Sequence, residues 1–178
     1  KLLQDYHGST LVFTKTKHGA KKITRQLKDS GTAAAEIHSN RSLGQRREAL
    51  EGFKSGKYRV LIATDIASRG IDVVGIELVI NYDLPSTSHD YVHRIGRTAR
   101  AGAGGHAITF SMPGDERDIR AIERLTGKKL SISKLPEGLP YVSAHREPHT
   151  PHAPRNFKGP RRHGGGGAHF TSRRHGRS

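Results

Sequence analysis

Apolar runs alternate with amphipathic segments over the first 140 residues of the chain. Short aliphatic runs bounded by turn signals predict buried strands, because a strand covered on both faces needs no polar side. Segments in which apolar residues return every three or four positions predict helices, because that spacing matches the helical turn. We therefore predict strands at 9–13, 32–38, 58–65, 76–83 and 106–112, and helices at 17–29, 42–56, 87–96 and 114–127.

The predicted helices carry end signals and apolar faces. Gly31 follows the first of them as a stop signal, and Gly56 ends the second. Thr87 is expected to cap the helix at 87–96, with Asp90 in a box-like position. The side chains expected to face the core are Ala20, Ile23 and Leu27 in the first helix, Leu43, Ala49, Leu50 and Phe53 in the second, and Ile119, Ile122 and Leu125 in the last.

Strands that alternate with helices predict βαβ units and therefore an α/β domain with a parallel sheet. Ligands of such sheets bind outside the carboxyl ends of the strands. The polar residues at these ends are consequently the first candidates for a site. They are Lys15 and Thr16, His38 and Ser39, Thr64 and Asp65, and Asn81 to Asp83.

The composition changes near residue 140. Residues 141–178 hold eight of the 31 basic residues, half of the 12 histidines and half of the eight prolines, but only one acid, Glu147. Apart from Val142 the segment has almost no aliphatic side chain to bury, so we predict a disordered basic tail. Residues 1–140 are predicted to form one domain.

Charge narrows the classes of partner. The net charge of +15 makes a polyanion the first partner to consider, the alternative being a generally basic, soluble protein.

The absence of cysteine excludes disulfide scaffolds and cysteine zinc sites, and the histidine spacing gives no reason to expect a specific metal site. No apolar run approaches the roughly 20 residues of a membrane span, so no membrane partner is expected. We expect a cytoplasmic location and a monomer. The chain starts without Met, as a piece of a longer protein would.

Residues 93–100, "HRIGRTAR", place Arg94, Arg97 and Arg100 three positions apart, on one stripe if the segment is helical. Asp90 lies one turn before Arg94, and an exposed Asp90–Arg94 pair is the plain structural explanation for that arginine. The nearest match to a phosphate loop, "GFKSGKY", is one residue short and follows a helix, so it is rejected. Arginines suited to phosphate without a nucleotide cradle suggest half of a site, in which they act as arginine fingers.

Several ordered segments together resemble the C-terminal RecA-like domain of a DEAD-box RNA helicase. "HRIGRTAR" resembles that family's motif VI, and "ATDIASRGID" (63–72) resembles motif V. "TLVFTKT" (10–16) resembles motif IV, and "VINYDLP" (79–85) the segment after motif V. The resemblance covers about residues 9–112 and implies a RecA-like three-layer domain, whereas the tail matches no defined domain.

The resemblance implies a division of labour between two RecA-like lobes that close over ATP and single-stranded RNA. ATP and Mg²⁺ would be held mainly by an N-terminal lobe, which this chain lacks, so this chain alone is expected to be inactive. Arg97 and Arg100 are then the expected arginine fingers and catalytic groups. Around them, Asp72 is expected at the ribose hydroxyls, Gly70 beside the nucleotide, and His93 and Arg94 between the lobes.

The resemblance also assigns an RNA surface. The candidate contacts are Lys15, His38, Ser39, Arg46, Thr64 and Arg69. Only the resemblance selects Arg46 over its neighbour Arg47. Contacts of this kind go to the RNA backbone, so binding should be salt-sensitive and independent of sequence. The family usually has Gln where Leu43 stands and Gly where Ser39 stands, which puts one RNA-side contact and one close backbone approach in doubt.

Two functions of different class remain open. The first is an enzyme part, the C-terminal lobe of an RNA-dependent ATPase and RNA helicase. The second is a free-standing, non-catalytic module that binds RNA or a helicase. The finger arginines favour the first, because a pure RNA binder has no use for them. A DNA-directed relative is a third, weaker alternative.

Overall fold

A sheet of five parallel strands forms the centre of the fold, in a computed structural model that describes residues 1–68, 71, 73, 75–98 and 104–133. The strand order is β2-β3-β1-β4-β5, and every strand pairing is parallel, as the sequence predicts. The strands are β1 (Thr10–Phe13), β2 (Ala34–Ile37), β3 (Val60–Ala63), β4 (Leu78–Asn81) and β5 (His106–Thr109). The helices are α1 (Leu2–Asp5), α2 (Lys17–Asp29), α3 (Leu43–Lys54), α4 (Asp65–Ser68), α5 (Ser88–Ile95) and α6 (Glu116–Thr126).

The strand register brings the carboxyl ends of the strands to one edge of the sheet. Phe13 lies beside Ala63 on one side and Asn81 on the other, and the flanking pairs are Ile37 with Ala63 and Asn81 with Thr109. The residues that follow each strand therefore lie along this edge, which we call the carboxyl edge. The described residues belong to one compact unit, Lys1–Ser133, and the predicted tail at 141–178 lies outside them.

The four strands β1 to β4 are buried along their whole length, so both faces of the sheet pack against other elements. Leu11 and Phe13 belong to the core on the side of α3, together with Phe53. Val12, between them, belongs to the core on the side of α2, together with Ala20. The period-two alternation of a strand thus divides one apolar run between two hydrophobic cores.

Side chains cap three of the helices. Thr87 accepts a hydrogen bond from the Asp90 N–H (3.1 Å), which confirms the predicted cap. Thr16 caps α2 in the same way. α3 begins with a capping box that was not predicted, in which Ser42 and Gln45 each accept a bond from the other's backbone N–H. These bonds satisfy donors that have no partner within the helix.

Two predictions of inward-facing residues are wrong. Leu43 is 84% exposed, because it opens α3 at the carboxyl edge, where none of the described residues covers it. Leu125 is 43% exposed, whereas Ile122 is buried, and α6 packs mainly against the short α5. The short helices α1 and α4 were not predicted, since four residues are too few to show a helical period.

We expect Phe53→Ala to lower the free energy of unfolding by about 3 kcal/mol or more, because it leaves a cavity in the core on the α3 side. Leu43→Ala, a change on the same helix, should cost less than about 0.5 kcal/mol. Urea unfolding of the two variants measures both values. A loss at Leu43 as large as that at Phe53 would contradict the described packing of α3.

Candidate functional site

A buried arginine joins three elements at the carboxyl edge. The Arg94 side chain on α5 is 3% exposed and forms a two-point ion pair with Asp65, the first residue of α4, with Nε–Oδ1 and Nη2–Oδ2 distances of 2.7 and 2.8 Å. Its Nη1 donates to the Asn81 side chain (3.1 Å) and to the Asp83 carbonyl (2.8 Å). The guanidinium also lies 5.0 Å from the centre of the Phe13 ring.

The polar groups around Arg94 continue along the edge. Asn81 donates to the Thr109 hydroxyl (3.0 Å), which links β4 to β5. The Asp83 carboxylate accepts from the Thr14 hydroxyl (2.7 Å) and from the Lys15 backbone N–H (2.8 Å), which links β4 to the end of β1. Together these bonds tie four of the five strand ends, directly or through α4, to one helix.

This arrangement rules out an exposed Asp90–Arg94 pair as the explanation for Arg94. The arginine pairs with Asp65 and not with Asp90, whose carboxylate accepts a bond from the Thr87 hydroxyl. The carboxylate of Asp65, at the start of α4, holds Arg94. The sequence separation of 29 residues explains why no local pattern could reveal this pair. The contact of Arg94 and the exposed His93 with a second lobe stays a prediction.

Arg97 is held between two buried neighbours. Three residues before it is Arg94, and one residue after it is Thr98, whose hydroxyl donates to the Ile76 carbonyl (2.6 Å). The Arg97 guanidinium is half-buried and, among the described residues, makes one hydrogen bond, from Nη1 to the Ile71 carbonyl (2.9 Å). Most of its donors therefore remain available to an anion.

The described RNA candidates also lie along the carboxyl edge, but they differ in exposure. The side chains of Lys15 and Ser39 are exposed, Thr64 is half-buried and His38 is buried. Arg46, which is half-buried, donates from Nη2 to the Ala67 carbonyl on α4 (3.3 Å).

The neighbouring Arg47 differs from Arg46 in direction and partner. Its Nε donates to Glu51 (2.8 Å), and this hydrogen bond raises the pKa of the exposed Arg47. Arg46 therefore faces the motif V segment, whereas Arg47 is engaged on the surface of its own helix.

Four of the predicted site residues lie outside the described part of the chain: Arg69, Gly70, Asp72 and Arg100. Within the described part, no cluster of three or more acidic, histidine or cysteine side chains is arranged to hold a metal ion. Also within that part, no helix has the length and hydropathy required to cross a bilayer. Sequence reasoning named Asn81 and Asp83 only as polar residues at a strand end, without their partners, and it missed Thr14 and Thr98.

The fold, a five-stranded parallel sheet flanked by helices, agrees with the comparisons with known proteins. The helicase conserved C-terminal domain family matches residues 1–102. The ATP-dependent RNA helicase dbp2 of Aspergillus clavatus is 48% identical over 120 residues, 67% of this chain and 22% of that protein. The DEAD-box ATP-dependent RNA helicase 20 of Arabidopsis thaliana is 45% identical over 136 residues, 74% of this chain and 27% of that protein.

Solved structures give the same result. The Escherichia coli DEAD-box protein SrmB, bound to a regulator of ribonuclease activity, superposes with a TM-score of 0.70 at 30% identity, over 75% of this chain and 79% of that chain. A DEAD-box protein of Methanococcus jannaschii gives 0.66 at 44% identity, over 73% and 37% of the two chains. Yeast Dbp5, bound to RNA and ADP BeF3, gives 0.65 at 32%, over 72% and 34%.

The fold is therefore that of a RecA-like helicase lobe. The chain belongs to the helicase conserved C-terminal domain family, and its relatives place it with the DEAD-box RNA helicases. It spans roughly a fifth to a quarter of the length of the curated relatives it matches. ATP and RNA binding are typical of this family.

We expect Arg94→Met to lower the free energy of unfolding by about 3 kcal/mol or more, because Asp65 and Asn81 lose their partner in a largely buried site. Asp90→Asn, which tests the local pair considered from the sequence, should cost less than about 1 kcal/mol. Thermal and urea unfolding of both variants measure the difference. Equal losses would favour an Asp90–Arg94 pair in solution.

Proposed function

We propose that this chain is the C-terminal lobe of an ATP-dependent RNA helicase and supplies arginine fingers to ATP held by an N-terminal RecA-like lobe. The observation that carries the proposal is the position of Arg97. It stands between the buried Arg94 and Thr98, and apart from the bond of Nη1 to the Ile71 carbonyl no described group uses its donors. A guanidinium held in this way needs little reorganisation to meet charge that develops on a transferred phosphoryl group.

The proposed nucleotide site is shared. Arg97, with Arg100 and Asp72 by resemblance, would contact ATP from this lobe, and a planar guanidinium fits two phosphate oxygens at once. By the same resemblance, Mg²⁺ would be held mainly by the N-terminal lobe. ATP supplies the phosphoryl group; the residues of this chain orient it and stabilise its charge.

The proposed RNA surface follows the carboxyl edge beyond the nucleotide. Arg46 and Thr64 lie at adjoining elements there, because Arg46 contacts the α4 carbonyl three residues past Thr64. Lys15 is exposed at the end of β1. These groups suit backbone phosphates, so the proposed binding is independent of base sequence. A module that only binds RNA would have no need of the held Arg97, which is why the enzyme part is preferred.

We expect Arg97→Ala to reduce RNA-stimulated ATPase by about a thousandfold or more when an N-terminal lobe with a phosphate loop is fused before residue 1, because a missing finger leaves transition-state charge unopposed. The chain without that lobe should show no RNA-stimulated hydrolysis. Phosphate release with and without RNA measures both.

The matched control is Arg120→Ala, which removes an equal charge from the exposed surface of α6. It should leave the ATPase within about twofold of the parent protein. If Arg97→Ala retained more than a tenth of the activity while remaining folded, the assignment of Arg97 as a finger would be wrong.

The basic tail is proposed to tether RNA loosely. Ending the chain after residue 140 removes eight basic residues and should weaken RNA affinity and flatten its dependence on salt. Fluorescence anisotropy with a single-stranded RNA at several salt concentrations measures both effects. Unchanged affinity and slope would mean that the tail is a solubilising extension.

A further inference from the structure

Residues 6–9, which we call the N-terminal segment, lie across the amino ends of the strands. The Arg59 side chain, just before β3, donates from Nη2 to the Tyr6 carbonyl (2.6 Å). The Tyr6 ring packs against the ring of His106, the first residue of β5, with the ring centres 5.0 Å apart. The segment is therefore held against the sheet on both sides of β1 and β4.

Between these two anchors the N-terminal segment is bonded to residues 75–77, which we call the bridge segment. The Ser9 hydroxyl donates to the Gly75 carbonyl (3.0 Å), and the Ser9 carbonyl accepts from the Glu77 N–H (3.1 Å). The Gly8 N–H donates to the Glu77 carboxylate. These three hydrogen bonds join the two segments, and two of them are made by side chains.

The bridge segment also holds the turn that carries Arg97. Thr98 forms an isolated parallel bridge with Ile76, and its hydroxyl donates to the Ile76 carbonyl (2.6 Å) and, at 3.4 Å, to the Glu77 carbonyl. The Glu77 carbonyl also accepts the His106 N–H (2.8 Å). Because Arg97 immediately precedes Thr98, a shift of the bridge segment moves the backbone that carries the Arg97 guanidinium.

Gly8 and Glu77 approach each other so closely that position 8 has no room for a side chain. A Cβ at Gly8 would overlap the Glu77 carboxylate and lie 3.0 Å from the Glu77 Cβ. Gly8 does not have the positive φ that would by itself call for glycine. A larger residue at position 8 therefore has to displace Glu77, which breaks the bond from the Gly8 N–H. Both residues are half-buried, so water replaces that bond only in part.

We propose that Glu77 is a positioning residue for Arg97, because its carboxylate locks the bridge segment to the N-terminal segment. The inference rests on the proposed function, in which ATP is held by a lobe that precedes residue 1. Any movement of the N-terminal segment as the lobes close then reaches Arg97 through Glu77 and Thr98. Since an arginine finger acts on the transition state, its position governs the rate of hydrolysis more than the binding of ATP.

The first test uses the whole 178-residue chain and needs no ATP. Gly8→Ala should shift the backbone amide resonances of Arg97 and Thr98, although the three atoms nearest to a Cβ at position 8 all belong to Glu77. Gly44→Ala is the matched control, because a Cβ there meets no atom within 4 Å, and it should leave both resonances in place. Unshifted resonances in Gly8→Ala would overturn the inference, because the displacement would then end at Glu77.

The second test measures RNA-stimulated ATPase in the two-lobe protein, in which an N-terminal lobe with a phosphate loop is fused before residue 1. Glu77→Ala and Gly8→Ala should each lower kcat about tenfold and leave the KM for ATP within about twofold, because a misplaced finger is missed only in the transition state. Glu77→Gln, whose side-chain carbonyl accepts the same bond, should keep kcat within about threefold of the parent. Gly44→Ala should match the parent protein.

The kcat values are taken per folded molecule, with the folded fraction measured by circular dichroism of the same samples. A loss of stability alone lowers the folded fraction and leaves this corrected kcat unchanged. Should Glu77→Ala not fold, Gly8→Ala, which keeps the carboxylate, provides the same kinetic test.

The outcomes separate the role of Glu77 from the proposed function. A parent kcat in Glu77→Ala, a raised KM in place of a lowered kcat, or an equal loss in Glu77→Gln and Glu77→Ala would overturn the positioning role and leave Arg97 as the finger. Absence of RNA-stimulated hydrolysis by the parent two-lobe protein would overturn the proposed function, and the positioning role with it.

Discussion

The two-point ion pair between Arg94 and Asp65 is the interaction on which the functional edge depends. Removing a guanidinium from water is expensive, and this one is offset by a carboxylate, a carboxamide, a carbonyl and an aromatic face. The partners come from α4 and from the ends of β4 and β1. The pair therefore sets the position of α5 relative to the sheet more firmly than the apolar contacts of so short a helix would.

The residue whose position depends most on this ion pair is Arg97, which itself adds little to the stability of the fold. Its backbone is fixed from both sides, by Arg94 before it and by Thr98 after it, which bridges to Ile76. The contacts that stabilise the lobe thus lie next to Arg97, the residue proposed to act on the phosphoryl group. Most of the hydrogen-bond donors of Arg97 itself have no partner among the described residues. This arrangement is typical of preorganised electrostatic sites, in which the orientation is settled before the ligand arrives.

The parallel sheet could be predicted from the sequence alone. Apolar runs as clear as those at 9–13 and 58–65 leave few alternatives to buried parallel strands. The sequence was insufficient wherever an outcome depended on distant contacts. Leu43 satisfies the helical period yet has no layer to cover it, and the partner of Arg94 is 29 residues away. The unpaired atoms of Glu36 and His38 are likewise a property of packing.

The strand order has a consequence for how the chain acquires its structure during synthesis. Of the five strands, β1 is synthesised first and lies at the centre of the sheet. It cannot pair with its neighbour β3 until the ribosome has synthesised that strand, which begins at Val60. At a ribosomal rate of about 5–20 residues per second, its apolar surface stays uncovered for about 3–10 s. β2 waits for the same partner. The nascent lobe therefore depends on the arrival of one strand, and its N-terminal half has no stable sheet of its own until then.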